Sequence, residues 1–368
     1  MIFEKLLKTS LSMALAALLS GCSFFDNLAE SLTVVNEIEM PEKPVAYEMP
    51  DVECIADELR SSQWFDYWCS EVLDGNNSVT VAEGLDTEHV KKAIILMRSD
   101  YPQIFWQGEL FSVTGNSFET TIEVSTISGI EQAEIPQMLQ EVEKAADEII
   151  DGIPDEWSDY EKVVCVHDYI IENTEYDKIA EKLTGKGISH GIYGCLIEKK
   201  AVCMGYASTF QYLMNRLGIE CGTCSGSDHA WNYVKIEGEY YWIDTTWDDD
   251  DSGSPLHTYC LFTTEQLLNT RTFGEIQPFV PQCTSTETTY IAKNGGFFEV
   301  YDEKEIIGYL GENSDMDKCQ IMFGSYEEYC KALDELIAKG KAARAIKADK
   351  LRYSRIDDMY SIVFILGV

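Results

Sequence analysis

The sequence predicts an α+β protein whose central domain packs a helix on an antiparallel sheet. Apolar residues recur on one face of residues 201–217, which is the periodicity of an amphipathic helix. Residues 229–236 and 239–246 flank Glu237 and Gly238, a two-residue turn signal that predicts a β-hairpin. Shorter helical and strand-like segments on both sides predict a small N-terminal α+β module and a C-terminal α/β module.

The N-terminus predicts export. Two lysines precede an apolar run at 11–19, which is too short to span a bilayer as a stable helix. The run ends in Leu-Ser-Gly-Cys at 19–22, which resembles the lipobox of bacterial lipoproteins, where the cysteine is acylated. We therefore expect residues 1–21 to be a signal peptide and Cys22 to anchor an extracytoplasmic protein to the membrane by lipid. An ordinary signal peptide with an incidental cysteine is the alternative.

A tether and a small folded module are predicted next. Residues 22–50 are acidic and contain three prolines, which disfavours helix and indicates a semi-extended linker. Within residues 51–130, the segment 90–97 has helical periodicity, whereas 109–113 and 120–124 alternate as half-buried strands do. One helical segment and two strand-like segments predict that this region is the N-terminal α+β module.

The central domain is predicted over residues 131–282. Helical periodicity covers 136–150, where a proline suits the first turn, and again 159–173. In the next helix Cys203 lies at the start, where the helix dipole favours an anion, lowers the pKa of a thiol and offers an N–H to a developing oxyanion. A structural cysteine is the alternative at such a position.

The hairpin register can be worked out from its turn. If the loop has two residues, Ile236 faces Glu239, Trp231 faces Asp244, and His229 lies on the same face as Trp231. His229 and Asp244 then become diagonal neighbours, within reach of their side chains. A slip by one residue would place them on opposite faces, and an incidental buried pair is the alternative reading.

The C-terminal α/β module is predicted over residues 283–368. Segments 289–292 and 296–301 are strand-like, 326–339 is helical, and 360–366 is a final strand-like run. We find no pattern typical of catalysis or metal binding in this region.

Composition excludes some partners. The formal charge of −36 opposes approach to nucleic acid and to anionic lipid head groups, so membrane association is expected only through the N-terminal lipid. Twelve cysteines are many for an exported protein, and we favour mostly reduced thiols. Cys221 and Cys224 have the spacing of redox or zinc pairs, but no second pair follows, so no metal and no cofactor are predicted.

Other conspicuous polar residues are interpreted as structural. The acidic run 248–251 is expected to be a solvated turn. His167 and Asp168 lie among apolar residues of a helix, where capping or hydrogen bonding within the core is expected rather than catalysis. His257 has no evident partner in the sequence.

Three ordered blocks carry a family resemblance. Val-Cys-Met-Gly-Tyr-Ala at 202–207, Asp-His-Ala-Trp-Asn at 228–232 and Trp-Ile-Asp-Thr-Thr-Trp-Asp-Asp at 242–249 resemble the signature blocks of bacterial transglutaminase-like proteins. The resemblance covers roughly residues 135–280. It implies a papain-like fold, in which a helix bearing the nucleophile packs on an antiparallel sheet.

The resemblance also implies roles for individual residues. Cys203 corresponds to the nucleophile, His229 to the base and acid, and Asp244 to the residue that orients the imidazole. Tyr193 is the nearest candidate by position for an oxyanion donor. Animal transglutaminases carry Trp directly after the nucleophile and have calcium sites in extra domains. This chain has Met204 there and lacks the length for those domains, so calcium dependence is not carried over.

The functional hypothesis is acyl transfer at amide bonds of a protein or peptide. Hydrolysis is favoured over cross-linking, because an exported site meets far more water than amine. Trp231 and Trp247 are candidates to line the substrate groove, with core packing as the alternative. Two other hypotheses stay open: a lipoprotein that binds peptides or cell-wall fragments without turnover, and thiol–disulfide exchange at Cys221 and Cys224. The sequence does not predict an oligomeric state.

Overall fold

The fold was analysed in a computed structural model of the chain. The residues that it describes are 30–32, 38–182, 186–250, 255–286, 288–347 and 351–366. The predicted signal peptide and the anchor Cys22 lie outside them. The fold mixes helix and sheet, at 40% helix and 22% strand, and the predicted α+β class is confirmed. Within the described residues, no helix is both long and apolar enough to cross a membrane.

The strands of the described residues, in chain order, are β1 (Glu30–Leu32), β2 (Glu53–Cys54), β3 (Ser78–Val81), β4 (Gln107–Gly115), β5 (Thr120–Thr126), β6 (Glu175–Tyr176), β7 (Lys200–Ala201), β8 (Cys221–Gly226), β9 (His229–Ile236), β10 (Glu239–Ile243), β11 (Cys260–Phe262), β12 (Ile276–Gln277), β13 (Phe297–Phe298), β14 (Lys318–Phe323), β15 (Leu351–Ile356) and β16 (Ser361–Ile365).

The α-helices are α1 (Ala56–Arg60), α2 (Gln63–Leu73), α3 (Thr87–Asp100), α4 (Ile135–Ile150), α5 (Asp159–Asn173), α6 (Ile192–Leu196), α7 (Cys203–Arg216), α8 (Thr264–Leu268), α9 (Tyr290–Lys293), α10 (Glu303–Glu312), α11 (Tyr326–Ala332) and α12 (Lys341–Ala345). Short 3₁₀ turns occur at Ala180–Lys182, Ile188–His190 and Asp357–Met359, and a π-helix follows α11 at Leu333–Ala338.

The chain divides into two compact units. The larger comprises residues 49–260 and 273–284, and the smaller comprises the described parts of 1–48, 261–272 and 285–368. The predicted N-terminal module and the predicted central domain therefore belong to one unit, and a boundary between them near residue 130 stays a prediction. The predicted C-terminal module makes up most of the smaller unit.

The larger unit contains the predicted helix-on-sheet arrangement. Strands β3, β5 and β4 form one antiparallel sheet, and β10, β9 and β8 are consecutive antiparallel strands of another. Helix α7 packs on β8 and β9, and α5 and α6 pack against α7. The predicted helices near 90–97, 136–150 and 159–173 are confirmed as α3, α4 and α5.

Helix α7 forms because its sequence supplies both an apolar face and clear ends. Ala207, Phe210 and Met214 are buried, as the periodicity predicts, and burial of a large apolar side chain contributes about 1.5–3 kcal/mol. Val202 is extended and begins the helix, whereas Gly218 has a φ of +75° and ends it. The helix start is thereby fixed at Cys203.

The smaller unit contains a mixed sheet in the order β1-β15-β16-β14-β13. Its pairs are antiparallel except β13 with β14, and the predicted strand near 360–366 is confirmed as β16. The predicted strand at 289–292 is wrong, because Tyr290–Lys293 forms the short helix α9. Four residues are too few for periodicity to separate one helical turn from a strand.

The predicted tether also needs correction. The described residues 38–48 belong to the smaller unit and bond to it, since Arg355 donates to the Glu39 carbonyl at 2.8 Å and Tyr326 donates to the Pro41 carbonyl at 2.5 Å. Upstream, β1 pairs with β15. Proline disfavours helix but leaves carbonyls free to accept hydrogen bonds, so an extended segment can pack as well as span a gap.

Candidate active site

Cys203 occupies the first position of α7. The backbone N–H of the preceding Val202 donates to the Ser189 carbonyl at 2.9 Å, which holds the entry to the helix against the segment at 189–191. In the first turn of α7, the backbone N–H groups of Gly205 and Tyr206 donate to the Val202 carbonyl at 2.8 and 3.1 Å, which closes the turn that begins at Cys203. The thiol is half-buried, as a nucleophile that must be both positioned and reachable requires.

Gly205 allows this close approach. A Cβ atom at this position would lie 2.5 Å from the Ser189 carbonyl oxygen and 2.8 Å from the Ala201 side chain. Glycine inside a helix costs about 1 kcal/mol relative to alanine. At Gly205 this cost in helix stability is offset by close packing of Ser189 and Ala201 against the helix, which a side chain would prevent.

The hairpin has the predicted register. Ile236 pairs with Glu239, and the two turn residues Glu237 and Gly238 have φ angles of +54° and +92°. Positive φ at both central residues is typical of the type I′ turn, which matches the twist of the flanking strands. The predicted two-residue loop is therefore confirmed.

This register brings His229 and Asp244 together. The Nε2 atom of His229 lies 2.7 Å from Asp244 Oδ2, and both side chains are buried, at 6% and 1% exposure. The second carboxylate oxygen, Oδ1, accepts hydrogen bonds from the backbone N–H groups of Thr246 and Trp247 at 3.1 Å each. The carboxylate is thus fixed by its own loop and holds one imidazole nitrogen.

Two aromatic side chains pack against the imidazole. The Trp247 ring stacks on His229 at a centroid distance of 5.1 Å, and the Trp231 ring stacks at 6.1 Å. Trp231 is fully buried and also contacts Phe273, so in this structure it packs the core rather than an open groove. Trp247 is half-buried beside the imidazole, and its predicted role in a substrate groove stays a prediction.

Buried hydrogen bonds join the hairpin to α7. Asn232 Nδ2 donates to the Ala207 carbonyl at 3.0 Å and to Thr223 Oγ1 at 3.0 Å, and Asn232 itself is fully buried. The Tyr206 hydroxyl, one turn after Cys203, donates to Asp249 Oδ2 at 2.7 Å. These bonds couple the helix that carries the thiol to the strand and loop that carry the other two residues.

The acidic run after the hairpin is not the predicted solvated turn. Asp248, Asp249 and Asp250 are buried, at 0%, 9% and 6% exposure. The Asp248 carboxylate accepts a hydrogen bond from the backbone N–H of Tyr259 at 3.0 Å, which replaces part of the hydration that burial removes. Consecutive acidic residues look solvated in sequence because their partners lie far away along the chain.

The side-chain partner of Asp248 is His167, which belongs to a hydrogen-bonded network of histidines and aspartates. His167 is fully buried, with Nδ1 at 2.8 Å from Asp168 Oδ1 and Nε2 at 3.2 Å from Asp248 Oδ2. His257 Nε2 lies 2.8 Å from the same Asp168 oxygen. The expected core hydrogen bonding of His167 and Asp168 is confirmed, and His257 has the partner that the sequence did not reveal.

Charge is retained inside this network. Burial opposes the charged form of His167, but hydrogen bonds and charge from Asp168 and Asp248 outweigh burial and raise its pKa to about 9. Burial likewise opposes ionisation of Asp168, whose pKa is held far below its usual range by its bonds from His167 and His257. Burial raises the pKa of Asp248, so the carboxylate of Asp168 is the anion that most favours the charged form of His167.

This arrangement predicts a pH-dependent stability. The pKa of His167 is higher in the folded protein, at about 9, than its ordinary value of 6.5. Its contribution is complete below about pH 6.5 and is lost as the pH rises through 9, and we expect the free energy of unfolding to fall by about 3 kcal/mol. Urea unfolding across this range measures it, with the exposed His89→Gln variant as control. A profile equally steep in His167→Gln would contradict the assignment.

The same residues are the candidate metal ligands of the described chain. Ligand atoms of His167, Asp168 and His257 all lie within 4.8 Å of one another. A zinc ion needs ligands at about 2.0–2.2 Å and would replace both bonds to the shared Asp168 oxygen. The distances of 2.8 Å are those of hydrogen bonds. The absence of a metal stays a prediction.

Tyr193 is engaged elsewhere. Its hydroxyl donates to Glu141 Oε2 at 2.7 Å, and this bond, with burial, raises the pKa of Tyr193 to about 12. Its ring packs on Phe105 at 5.3 Å. Donation to an oxyanion would require the bond to Glu141 to break, so the proposed oxyanion role stays a prediction.

The described cysteines form no disulfide with one another, as favoured from the sequence. Cys221 and Cys224 lie three residues apart on β8, so their side chains point to opposite faces of the sheet. Both are buried, and burial holds the pKa of each thiol well above the ordinary value. Neither feature suits thiol–disulfide exchange, which needs a paired and reachable thiolate.

Comparisons with known proteins place the site in context. Residues 144–247 match the model of the transglutaminase-like superfamily, and this span includes Cys203, His229 and Asp244. Kyphoscoliosis peptidase of Mus musculus is 28% identical over 115 residues, covering 27% of this chain and 17% of that protein. The Homo sapiens protein of the same name is 28% identical over 118 residues, covering 27% and 18%. The chain thus spans less than a fifth of these relatives.

Among solved structures, the crystal structure of a TGase is similar over 46% of this chain and 50% of that chain, with 14% identity and a TM-score of 0.25. The family match, together with the helix-on-sheet arrangement, shows that the central part of the chain has a transglutaminase-like, cysteine-enzyme-like fold.

Proposed function

Because this chain carries a transglutaminase-like domain at residues 144–247, we propose that it is a cysteine enzyme that cleaves or transfers acyl groups at amide bonds of proteins or peptides. One observation carries the proposal. The buried His229–Asp244 pair, at 2.7 Å, lies on a hairpin that packs against the helix beginning at Cys203. A thiol, an imidazole and a carboxylate in one fold are the groups that nucleophilic catalysis by cysteine requires.

The proposed reaction has two steps. The Cys203 thiolate attacks the amide carbonyl and forms a thioester, while the His229 imidazolium gives its proton to the departing amine. Water then attacks the thioester, His229 accepts a proton from that water, and the carboxylic acid leaves as the thiol is regenerated. Since Asp244 holds Nε2, the other ring nitrogen, Nδ1, is the one that exchanges protons with the thiol and the leaving group.

Hydrolysis is the favoured outcome of the second step. Water is present in large excess over any amine at an exported, dilute site, and the curated relatives bear the name peptidase. An amine would take the place of water in cross-linking, with the same residues in the same roles. We propose peptide or protein amides as substrates in either case.

The activation of the thiol is directly testable. We expect Cys203 in the full-length mature chain to be alkylated at about pH 6 at least tenfold faster than the exposed Cys54, because the imidazole keeps the thiol ionised. In His229→Ala the rate at Cys203 should fall to that of Cys54. Site-resolved mass spectrometry measures both thiols in one sample.

A different result favours the binding protein over the enzyme. If labelling of Cys203 rises only towards the ordinary thiol pKa of about 8.5, and His229→Ala changes nothing, the thiol is not activated. The domain would then be a groove that binds peptides or cell-wall fragments without turnover. Labelling of Cys54 is the internal control for the reagent and for the pH.

The proposed location rests on the N-terminal sequence. An apolar run at 11–19 followed by Cys22 supports a lipid-anchored protein outside the cytoplasm, and these residues lie outside the described structure. Acylation of Cys22 would keep the enzyme at the membrane by lipid alone. The proposal of an extracellular peptide substrate follows from this location.

A further inference from the structure

A cavity of about 240 Å³ lies in the larger unit beside α7. One water needs about 10–15 Å³ of such a cavity, so this cavity is large enough to admit an amino-acid residue. The residues that line it include Arg98, Gln107, Lys186, His190, Met204 and Thr223. None of the three catalytic candidates lines the cavity itself.

The cavity nevertheless shares two elements with the candidate catalytic residues. Met204 of its wall directly follows Cys203 on α7. On the sheet, Ser225 of its wall pairs with Ala230, which directly follows His229. The cavity is therefore formed by the same helix and the same sheet that carry Cys203 and His229.

Gln107 indicates that the cavity takes a polar ligand. This side chain is 97% buried, and within the described part of the chain neither its amide oxygen nor its amide nitrogen has a hydrogen-bond partner. Leaving a buried polar group unpaired costs about 1–3 kcal/mol, and buried amides are nearly always bonded. An amide offers one acceptor and two donor hydrogens, which complement the N–H and C=O of a peptide group.

The charges of the cavity favour an anion. Burial lowers the pKa of Lys186 to about 8, with repulsion from Arg98 as the second cause, and burial with repulsion from Lys186 lowers the pKa of His190. Arg98 donates to the Gly108 carbonyl at 2.5 Å. Among the described residues, no carboxylate forms an ion pair with Arg98 or Lys186, and the nearby Glu109 carboxylate attracts both only at longer range. In a chain of net charge −36, a half-buried cluster of basic groups is a distinctive feature.

We propose that this cavity binds a carboxylate carried by the peptide substrate, with Gln107 bonding to the adjoining peptide group and Arg98, Lys186 and His190 facing the charge. The carboxylate comes either from an acidic side chain or from a free peptide C-terminus, because both present the same group. The identity of the ligand as a substrate rests on the proposed function, whereas binding itself does not. The pocket would make the enzyme selective for acidic peptides or for peptide ends.

Titration calorimetry on the full-length Cys203→Ala chain tests the proposal without turnover. Three tripeptides serve as probes: acetyl-Ala-Glu-Ala-amide, acetyl-Ala-Gln-Ala-amide, and acetyl-Ala-Gln-Ala with a free C-terminus. We expect at least about tenfold tighter binding of one carboxylate peptide than of the neutral one, since a charge-assisted bond is lost in the latter. The carboxylate peptide that binds identifies the source of the group.

Variants locate the site. In this background, Lys186→Gln and Gln107→Leu should each weaken the preferred peptide about tenfold, whereas Lys144→Gln, which changes an exposed lysine of the same unit, should not. Lys186→Glu should reverse the preference towards a lysine-containing peptide. Equal affinity for the neutral and acidic probes, or unchanged affinity in the folded Lys186 and Gln107 variants, overturns the proposal.

The two experiments distinguish a wrong assignment of the carboxylate-binding cavity from a wrong assignment of catalysis. If Cys203 proves unreactive but the carboxylate peptide still binds and Lys186→Gln weakens it, the proposed catalysis fails and the pocket stands as a peptide-binding site. If Cys203 is activated but all three probes bind alike, the pocket assignment fails and the enzyme stands.

Discussion

Cys203→Ala is expected to abolish turnover, with a loss of at least about 10⁴-fold in kcat/KM. The thiol supplies the electron pair that forms the acyl-enzyme, and neither His229 nor Asp244 can replace it as nucleophile. Removing the nucleophile of a hydrolytic triad costs up to about 10⁶-fold, and the remaining rate comes from oxyanion binding and positioning. A mixed peptide library incubated with the full-length chain and analysed by mass spectrometry measures cleaved bonds, deamidated glutamines and lysine cross-links together.

The matched control is Cys54→Ala, which removes an exposed thiol from the same unit. It should leave all three products unchanged. Because Cys203 is only half-buried, its truncation should change the free energy of unfolding by less than about 1 kcal/mol, so thermal unfolding separates a chemical loss from a folding loss. Turnover that persists in a folded Cys203→Ala protein would show that the nucleophile lies elsewhere.

The local geometry of the site followed from the sequence because the hairpin is short-range. A two-residue turn fixes the register of both strands, and the period of two then decides which side chains share a face. Ile236 therefore pairs with Glu239 and His229 bonds to Asp244, as expected. Helix α7 followed in the same way from its apolar period and its terminal glycine.

Contacts between elements that are distant in sequence could not be predicted from turn length and periodicity. The bonds from Asn232 to Ala207 and from Tyr206 to Asp249 join the sheet to the helix, and no periodicity encodes them. The sequence resemblance supplied the helix–sheet contact that periodicity left open. The same limit applies to His257, whose partner Asp168 lies 89 positions away.

Burial of polar side chains is the second feature that could not be predicted from the sequence, as the acidic run after β10 and the cavity beside α7 show. Sequence patterns report average exposure, so a run of aspartates predicts solvent, whereas the structure buries Asp248 against His167. Gln107 begins a strand and looks like an ordinary edge residue until its missing partners are seen. Buried polar groups deviate from hydrophobic patterning where tertiary contacts or ligands compensate them.

Asp244→Asn should reduce kcat about 10³- to 10⁴-fold while the protein stays folded. Oδ1 of Asp244 accepts two backbone N–H bonds from Thr246 and Trp247, so the single oxygen of asparagine will occupy that position. The amide NH₂ then faces His229 Nε2, which must become an acceptor, and the ring proton moves to Nδ1. The nitrogen that should accept the thiol proton is thereby blocked, and a wrong tautomer of this kind costs about 10⁴-fold in a serine triad.

Asp228→Asn is the matched control for this change. Asp228 is exposed, directly precedes His229 and has a φ of +60°, a conformation that asparagine adopts as readily as aspartate. The control therefore makes the same chemical change beside the imidazole without altering the bond to Nε2, and we expect its kcat to stay within about twofold of the wild type. A folded Asp244→Asn protein with kcat near that of the control would mean that Asp244 only packs beside His229. A loss confined to Asp244→Asn would assign the carboxylate to orienting the imidazole, because neither substitution changes the size of its side chain and only Asp244→Asn changes the hydrogen-bond polarity at Nε2.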